Sequence, residues 1–133
     1  MKLVIVTPQA EKINREVDGV TLPGGMGEVG ILPGHLPLMS TLDVGILRFE
    51  SGGTETCLAV NRGFFEVLDD EVRVLTETCE TPEEVDCGRA EDALKRARDR
   101  LDAAARDANV DVDRATTAIR RAIARLSVSQ PRR

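Results

Sequence analysis

The chain has 133 residues, enough for one ordinary core or for a small domain with an extension, and too few for two large domains. It contains no Trp or Tyr and only three Phe, which excludes aromatic stacking on bases, and a net charge of −5 argues against nucleic acid as a partner. Three Cys without CxxC spacing and a single His offer no zinc set. We therefore expect no metal site and reduced, structural cysteines.

Up to about residue 80, apolar and polar residues alternate with the period of two that is typical of strands. The first of these runs is too short for a signal peptide core, and no apolar run approaches the length of a membrane span. The predicted strands are Leu3–Thr7, Gly19–Leu22, Gly45–Phe49, Thr56–Val60, Phe64–Leu68 and Val72–Thr76. Turn residues separate them at the spacing of an all-β sandwich or barrel, which we assign to residues 1–81.

The segment 27–38 combines three glycines with Pro33 and Pro37, so no helix can run through it and its backbone is constrained. It carries Glu28 and His35, the only histidine, as polar groups on a predicted loop. These two residues are candidates for a functional contact. We interpret His35 as a polar loop residue rather than a catalytic one, because no catalytic partner is recognisable.

The same region also fits the dinucleotide-binding pattern GxGxxG over residues 25–30. That pattern requires a helix whose amino terminus meets the pyrophosphate, and prolines follow here instead. A GxxxxGK[ST] loop is absent from the sequence as well. We therefore predict no catalytic residues.

After Thr81 the period becomes that of a helix, with Thr81 as the predicted N-cap and Pro82 at the first helical position. A break at 109–111 divides residues 82–133 into two helices, which the short connection makes antiparallel. The fold class is thus α+β, an amino-terminal all-β sandwich followed by a carboxyl-terminal helical hairpin. The apolar seams are Ala90, Leu94, Ala97, Leu101, Ala104 and Ala108 on the first helix, and Val112, Ala115, Ile119, Ala122 and Leu126 on the second.

Alanine dominates the seam of the first helix and buries far less apolar surface than leucine. A hairpin held this weakly can open at small energetic cost. A permanently folded helical appendage fits the same residues, and the sequence leaves both alternatives open.

Charge is distributed unevenly along the chain. From Arg114 onward all the charged side chains are arginines, namely Arg114, Arg120, Arg121, Arg125, Arg132 and Arg133. Such an end suits an acidic partner surface or a phosphate, although a solvated helix face has the same pattern. Arg89 and Arg96 share a face of the first helix, as do Arg121 and Arg125 on the second, so the two pairs could clamp an anionic phosphate chain.

The segment 27–38 resembles the signature of the epsilon subunit of F-type ATP synthases. Segments 6–8, 63–67 and 122–128 are similar to that family in the expected order. Arg62 departs from it, because a second small glycine is common at this position. The resemblance implies a β-sandwich with a helical hairpin, a non-catalytic central-stalk subunit that binds the gamma subunit and the c ring. It implies a c-ring contact at Glu28 and His35.

The resemblance further implies that the hairpin restrains ATP hydrolysis by leaving the sandwich and inserting between the catalytic alpha and beta subunits. Some family members bind regulatory ATP through the folded hairpin, and no other cofactor is implied. The residues that match this ATP motif are Glu80, Asp86, Arg89, Ala90, Arg96, Arg121 and Arg125. Gly88 departs from the motif, because a glycine in a first turn destabilises the helix by up to about 1 kcal/mol.

The resemblance implies a peripheral subunit with membrane contact only through the complex. Because the sequence shows no transit peptide, we expect the cytoplasmic face of a bacterial plasma membrane rather than a plastid-encoded origin. Whether the coupled ion is a proton or sodium is determined by the c ring. Two other functions fit the patterns: a free-standing β-sandwich adaptor whose hairpin captures a partner helix, and a small nucleotide-dependent enzyme.

Overall fold

The computed structural model describes residues 1–104 and 110–129. The strands are β1 (Lys2–Val6), β2 (Glu11–Glu16), β3 (Gly19–Gly24), β4 (Gly27–Ile31), β5 (Leu38–Leu42), β6 (Gly45–Ser51), β7 (Thr54–Val60), β8 (Gly63–Leu68), β9 (Glu71–Thr76) and β10 (Cys79–Glu80). The helices are α1 (Cys87–Ala103) and α2 (Val112–Ser129). Four residues of the sequence predictions, Ala108, Asn109, Arg132 and Arg133, lie outside the described ranges.

The strands form two layers that are joined through β3. One layer contains β10, β7, β6 and β3, with β4 on the other edge of β3. The second contains β5, β8, β9, β1 and β2, and only β1 and β9 pair in parallel among the described strands. Gly24, the last residue of β3, pairs with Leu42 of β5 and so links the layers. The α+β fold class, a β-sandwich followed by a helical hairpin, is confirmed.

Large aliphatic side chains and two of the phenylalanines fill the space between the layers. Their inward positions follow from the alternation along each strand. The bulkiest fully buried residues are Phe49, Phe65, Leu3, Ile5, Leu22, Ile31, Leu47 and Leu58. Phe64, the neighbour of Phe65, points to the opposite face and is 55% exposed.

All six predicted strands are present, and four further strands escaped the sequence pattern. The prediction of a loop over 27–38 was wrong for half of its length, because β4 pairs with β3, β5 pairs with β8, and only 32–37 connects them. Gly27 has φ 125°, a backbone conformation that glycine adopts easily, because it closes the tight turn between β3 and β4. β2 was missed because it is a largely exposed edge strand of charged residues without apolar alternation.

Helix α1 starts later than predicted, and Thr81 is not its N-cap. Thr81 and Glu84 close a turn instead, since Glu84 N donates to Thr81 O at 3.0 Å and Thr81 N donates to Glu84 Oε1 at 3.1 Å. Val85 then packs against Cys57 and Ala59 of β7, which keeps the chain out of a helix up to this point. Asp86 is the true N-cap, and its side chain accepts from Arg89 N at 3.0 Å.

In the hairpin, alanines are the residues that become buried. Ala90 and Ala97 on α1 and Ala115 and Ala122 on α2 are at most 3% exposed, whereas Leu101 is 36% exposed. The other seam leucines and isoleucines are only partly buried. A second face of α2 contacts the sheet through Ala124 and Val128, and Val128 joins the cluster around Cys57 and Ala59.

Candidate functional site

Glu28 and His35 both lie on the surface, at different ends of β4. Glu28 is near the start of the strand, and its carboxylate forms an ion pair with Arg48 of β6. His35 follows the end of the strand by four residues, and its backbone N donates to Leu32 O at 3.1 Å. Its ring Nδ1 lies 2.6 Å from Leu36 O. The two side chains therefore present two separate polar points on the surface of the sandwich.

The loop 32–37 is held in place by the turn between β8 and β9. Asp69 and Asp70 in this turn adopt positive φ values of 49° and 59°. The Asp70 carboxylate accepts from Gly34 N at 3.0 Å and lies 3.6 Å from the amino group of Met1. Gly34 itself has φ 80°, a conformation that only glycine adopts easily. The loop that carries His35 is thereby tied to the body of the sandwich.

An apolar groove of about 780 Å³ crosses the outer face of the β5, β8, β9 and β1 layer. Phe64 and Leu75, which are half exposed, form much of its surface. Its lining comprises Val6, Thr7, Pro8, Gly25, Thr41, Leu42, Asp43, Arg62, Gly63, Phe64, Leu75, Thr76 and Glu77. Gly63 is required by packing, because a Cβ at this position would lie 1.8 Å from Leu75 O.

Two charged residues of the groove also bind α2. Arg120 Nη2 donates to Asp43 Oδ2 at 2.7 Å, and Arg62 Nη2 donates to Thr117 Oγ1 at 3.0 Å. The hydrogen bond from Arg120 lowers the pKa of Asp43 below its usual value of 3.8. We call these two contacts the α2 clasps. Sequence spacing could not reveal them, since the partners are 77 and 55 residues apart.

The residues of the implied ATP motif are only partly brought together. Arg125 Nε donates to Glu80 Oε1 at 2.7 Å, and Arg121 lines the same crevice, whose cavity volume is about 10 Å³. Arg89 and Arg96 are exposed on α1. Asp86 is engaged in capping α1, and Ala90 is buried in the hairpin.

A further ion pair fastens the segment between sandwich and hairpin. Lys12 Nζ on β2 lies 2.6 Å from Glu84 Oε2, and this hydrogen bond lowers the pKa of Glu84 and raises that of Lys12. Nearby, burial raises the pKa of the Cys79 thiol to about 11, so it stays protonated and unreactive at neutral pH. Cys57, Cys79 and Cys87 form no disulfide in this structure, and Cys87 is exposed.

Within residues 1–104 and 110–129, the structure contains no cluster of three or more His, Cys, Asp or Glu that could hold a metal ion. No helix in the same ranges is both long enough and apolar enough to span a membrane.

Residues 1–82 match the family model described as ATP synthase, Delta/Epsilon chain, beta-sandwich domain, and residues 83–130 match the long alpha-helix domain of the same family. The chain belongs to the ATP synthase delta/epsilon chain family. The resemblance to the epsilon subunit, carried by the segment 27–38, is thus confirmed.

Curated relatives of the delta/epsilon family match over most of their length. The ATP synthase epsilon chain of Syntrophobacter fumaroxidans is 43% identical over 130 residues, which is 98% of this chain and 96% of the relative. The ATP synthase epsilon chain of Desulfitobacterium hafniense strain Y51 is 40% identical over 128 residues, which is 96% of this chain and 95% of the relative. The ATP synthase epsilon chain 2 of Syntrophotalea carbinolica is 48% identical over 101 residues, which is 76% of this chain and 73% of the relative.

Among solved structures, a chain of the Euglena gracilis mitochondrial ATP synthase, determined as OSCP/F1/c-ring, matches with a TM-score of 0.76 and 27% identity. The match covers 89% of this chain and 74% of that one. A chain of the Tetrahymena thermophila central stalk and c-ring structure matches at 15% identity with a TM-score of 0.54, covering 63% and 68%. This second likeness concerns the fold alone.

Proposed function

We propose that this chain is a non-catalytic rotor subunit of the central stalk, which binds the gamma subunit and the c ring and couples ion translocation to ATP synthesis. Support comes from the family and from the Euglena neighbour, which was solved together with F1 and the c ring. The observation that carries the proposal is the exposed apolar groove on the sandwich. A rotor contact requires such a surface on a stiff body.

The groove is the proposed docking face for gamma. Phe64 and Leu75 are half exposed and lie opposite each other on β8 and β9, and contiguous exposed apolar surface marks interaction sites. Gly63 brings β8 close to β9, and the ladder between these strands fixes the positions of both apolar side chains. A partner seated there would bury them without rearranging the backbone.

Glu28 and His35 are the proposed contacts with the c ring. Glu28 offers a carboxylate that is 56% exposed although paired with Arg48, and Asp70 restrains the loop around His35. Tethering these residues to the sandwich supports the transmission of torque. The subunit would be peripheral, on the cytoplasmic face of a bacterial plasma membrane, and would contact the membrane only through the complex.

Regulation of ATP hydrolysis is assigned to the hairpin. Among the residues that the structure describes, helix α2 contacts the sheet through only two buried apolar side chains, Ala124 and Val128, so little apolar burial opposes release of the hairpin from the sandwich. The arginines of α2 then suit an acidic surface on the catalytic alpha and beta subunits. This charge complementarity favours inhibition by the released hairpin.

ATP is the proposed regulatory ligand of the folded hairpin. Glu80, Arg121 and Arg125 line one crevice, which favours this ligand, but a volume of about 10 Å³ admits no nucleotide. ATP would therefore lie on the surface, with its phosphates on Arg121 and on the exposed arginines of α1. Thermal-shift titration should show a rise in Tm with ATP that Arg121→Ala abolishes and Arg114→Ala, outside the crevice, preserves. An unchanged Tm in the unmodified chain contradicts ATP binding.

The docking face is tested with two exposed apolar residues of the same strand. Phe64 lines the groove, whereas Leu68, 48% exposed, does not. Phe64→Asp should reduce affinity for a catalytic subcomplex that contains gamma and lacks this chain by about tenfold or more, since a charge would be buried. Leu68→Asp should bind as the unmodified chain does.

Co-purification separates the rotor from the adaptor. A rotor subunit co-purifies with gamma and the catalytic subunits, and a free-standing adaptor does not. Absence of this chain from purified ATP synthase of its own organism would contradict the proposed function.

A further inference from the structure

Two side chains at the edge of the groove serve two surfaces at once. Asp43 and Arg62 line the groove, and each is also held by α2 in one of the α2 clasps. Arg120 adds a second bond beside the first, from Nη2 to Val44 O at 3.3 Å. The docking of the hairpin and the shape of the groove therefore depend on the same two residues.

The sandwich fixes the backbone of both residues, but it holds only one carboxylate oxygen of Asp43 and leaves the guanidinium of Arg62 to α2. Asp43 N donates to Pro23 O at 2.8 Å, and Arg62 N donates to Asn61 Oδ1 at 2.8 Å. Val44 N holds one carboxylate oxygen of Asp43 at 2.8 Å, and Arg120 holds the other. The guanidinium of Arg62 is ordered by Thr117 of α2. Removing α2 would thus release the long side chain of Arg62 and half of the Asp43 carboxylate.

Ordering a long side chain upon association opposes binding. For a residue such as arginine this amounts to roughly a two- to tenfold loss of affinity. When α2 is docked, that ordering has already taken place at the edge of the groove. A partner that enters the groove then meets side chains in fixed positions.

We propose that Asp43 and Arg62 couple hairpin docking to stalk docking, so that gamma binds more tightly to the chain with α2 docked. Coupling between two binding events is reciprocal, so an occupied groove in turn stabilises the docked hairpin. This inference rests on the proposed role of the groove as the gamma face. It adds that the affinity of the groove for gamma depends on whether α2 is docked on the sandwich.

A double-mutant cycle on the full-length chain tests the coupling. Thr117 makes its bond to Arg62 but does not line the groove, so a direct contact with gamma does not explain its effect. Thr117→Val should weaken binding to the gamma-containing subcomplex by about threefold, and should have no further effect in an Arg62→Ala background. Thr116→Val, at the exposed neighbouring position, is the matched control and should leave affinity unchanged.

The coupling is overturned if Thr117→Val leaves affinity unchanged, increases it, or lowers it equally in both backgrounds. In each of these cases the proposed function still stands, provided that the unmodified chain binds the subcomplex. Failure of the unmodified chain to bind the subcomplex overturns both. A second cycle with Arg120→Ala and Asp43→Ala provides an independent arm if Thr117→Val fails to fold. Here too the loss caused by Arg120→Ala should become smaller once Asp43 is replaced, and an equal loss in both backgrounds contradicts the coupling; the bond from Arg120 to Val44 O accounts for the remainder.

Discussion

The sandwich and the hairpin are packed by different means. Between the layers of the sandwich, phenylalanine and large aliphatic side chains are fully buried, and each contributes about 1.5–3 kcal/mol. In the hairpin, alanines are buried where the helices meet, and the larger aliphatic residues remain partly exposed apart from Val128, which packs on the sheet. Contacts with the sheet add a small apolar cluster and hydrogen bonds from arginines that are themselves partly exposed. One chain thus combines a rigid body with a marginally held appendage.

The largest expected effect comes from the core of the sandwich. Phe65→Ala should lower the free energy of unfolding by about 3–5 kcal/mol, because Phe65 is 1% exposed and its removal leaves a cavity. Urea titration followed by far-UV circular dichroism measures the change. The adjacent Phe64→Ala is the control and should change it by less than about 1 kcal/mol. Equal losses would show that the two faces of β8 are not distinguished as described.

A smaller effect is expected where the two helices meet. Ala122 is 1% exposed in the alanine seam, so Ala122→Leu should force the helices apart at a cost of about 1–3 kcal/mol. Hydrogen exchange should accelerate across α1 and α2 and stay unchanged in the sandwich. Ala103→Leu, at an exposed position of α1, should leave both regions unchanged. Faster exchange in the sandwich as well would contradict the energetic separation of the two regions.

Acid should weaken hairpin docking before it affects the sandwich. The lowered pKa of Asp43 means that its bond to Arg120 contributes fully at pH values above the usual 3.8 and is lost as pH falls through the lower folded pKa. The pKa of Glu84 is likewise lowered from its usual 4.5, so its bond to Lys12 contributes fully above that pH and is lost as the pH falls through the lower folded pKa. Amide protection factors in α2, corrected for intrinsic exchange, should therefore fall as the pH drops below 3.8, while those of β8 persist. Asp43→Asn should remove part of this pH dependence, and an unaltered profile would contradict the assignment.

The smallest expected effect concerns the first turn of α1. A Cβ at Gly88 would have only Asp86 Oδ1 nearby, at 3.7 Å, so packing does not require glycine there. Gly88→Ala should stabilise α1 by up to about 1 kcal/mol through helix propensity and slow exchange in its first turns. Loss of helical stability in this variant would show that Gly88 has a role that its surroundings do not reveal.

The same contrast explains what the sequence could predict. Strands with a buried face, such as β8 and β9, alternate clearly and were found, while β2 and β4 have few buried residues and were not. The helical seams were recognised from their spacing, but the start of α1 was misplaced because Thr81 and Asp86 are both good capping residues. Burial of Val85 against β7, a tertiary contact, decides between them.

Candidate site residues divide in a similar way. Glu28 and His35 were selected from a local pattern of glycines and prolines, and their role as c-ring contacts remains a prediction. The α2 clasps and the groove arise from residues far apart in sequence, so no local pattern contains them. Their recognition requires knowledge of which strand faces which helix.

The anchoring of the segment before α1 determines where a hairpin released from the sheet would pivot. Glu84 is paired with Lys12, and Val85 packs against β7, so the chain is fastened to the sandwich up to this residue. A hairpin that leaves the sheet then pivots at Asp86 rather than at Thr81. Because α1 has 17 residues, it forms a lever arm about 25 Å long, and this length sets how far α2 can be carried from the rotor body.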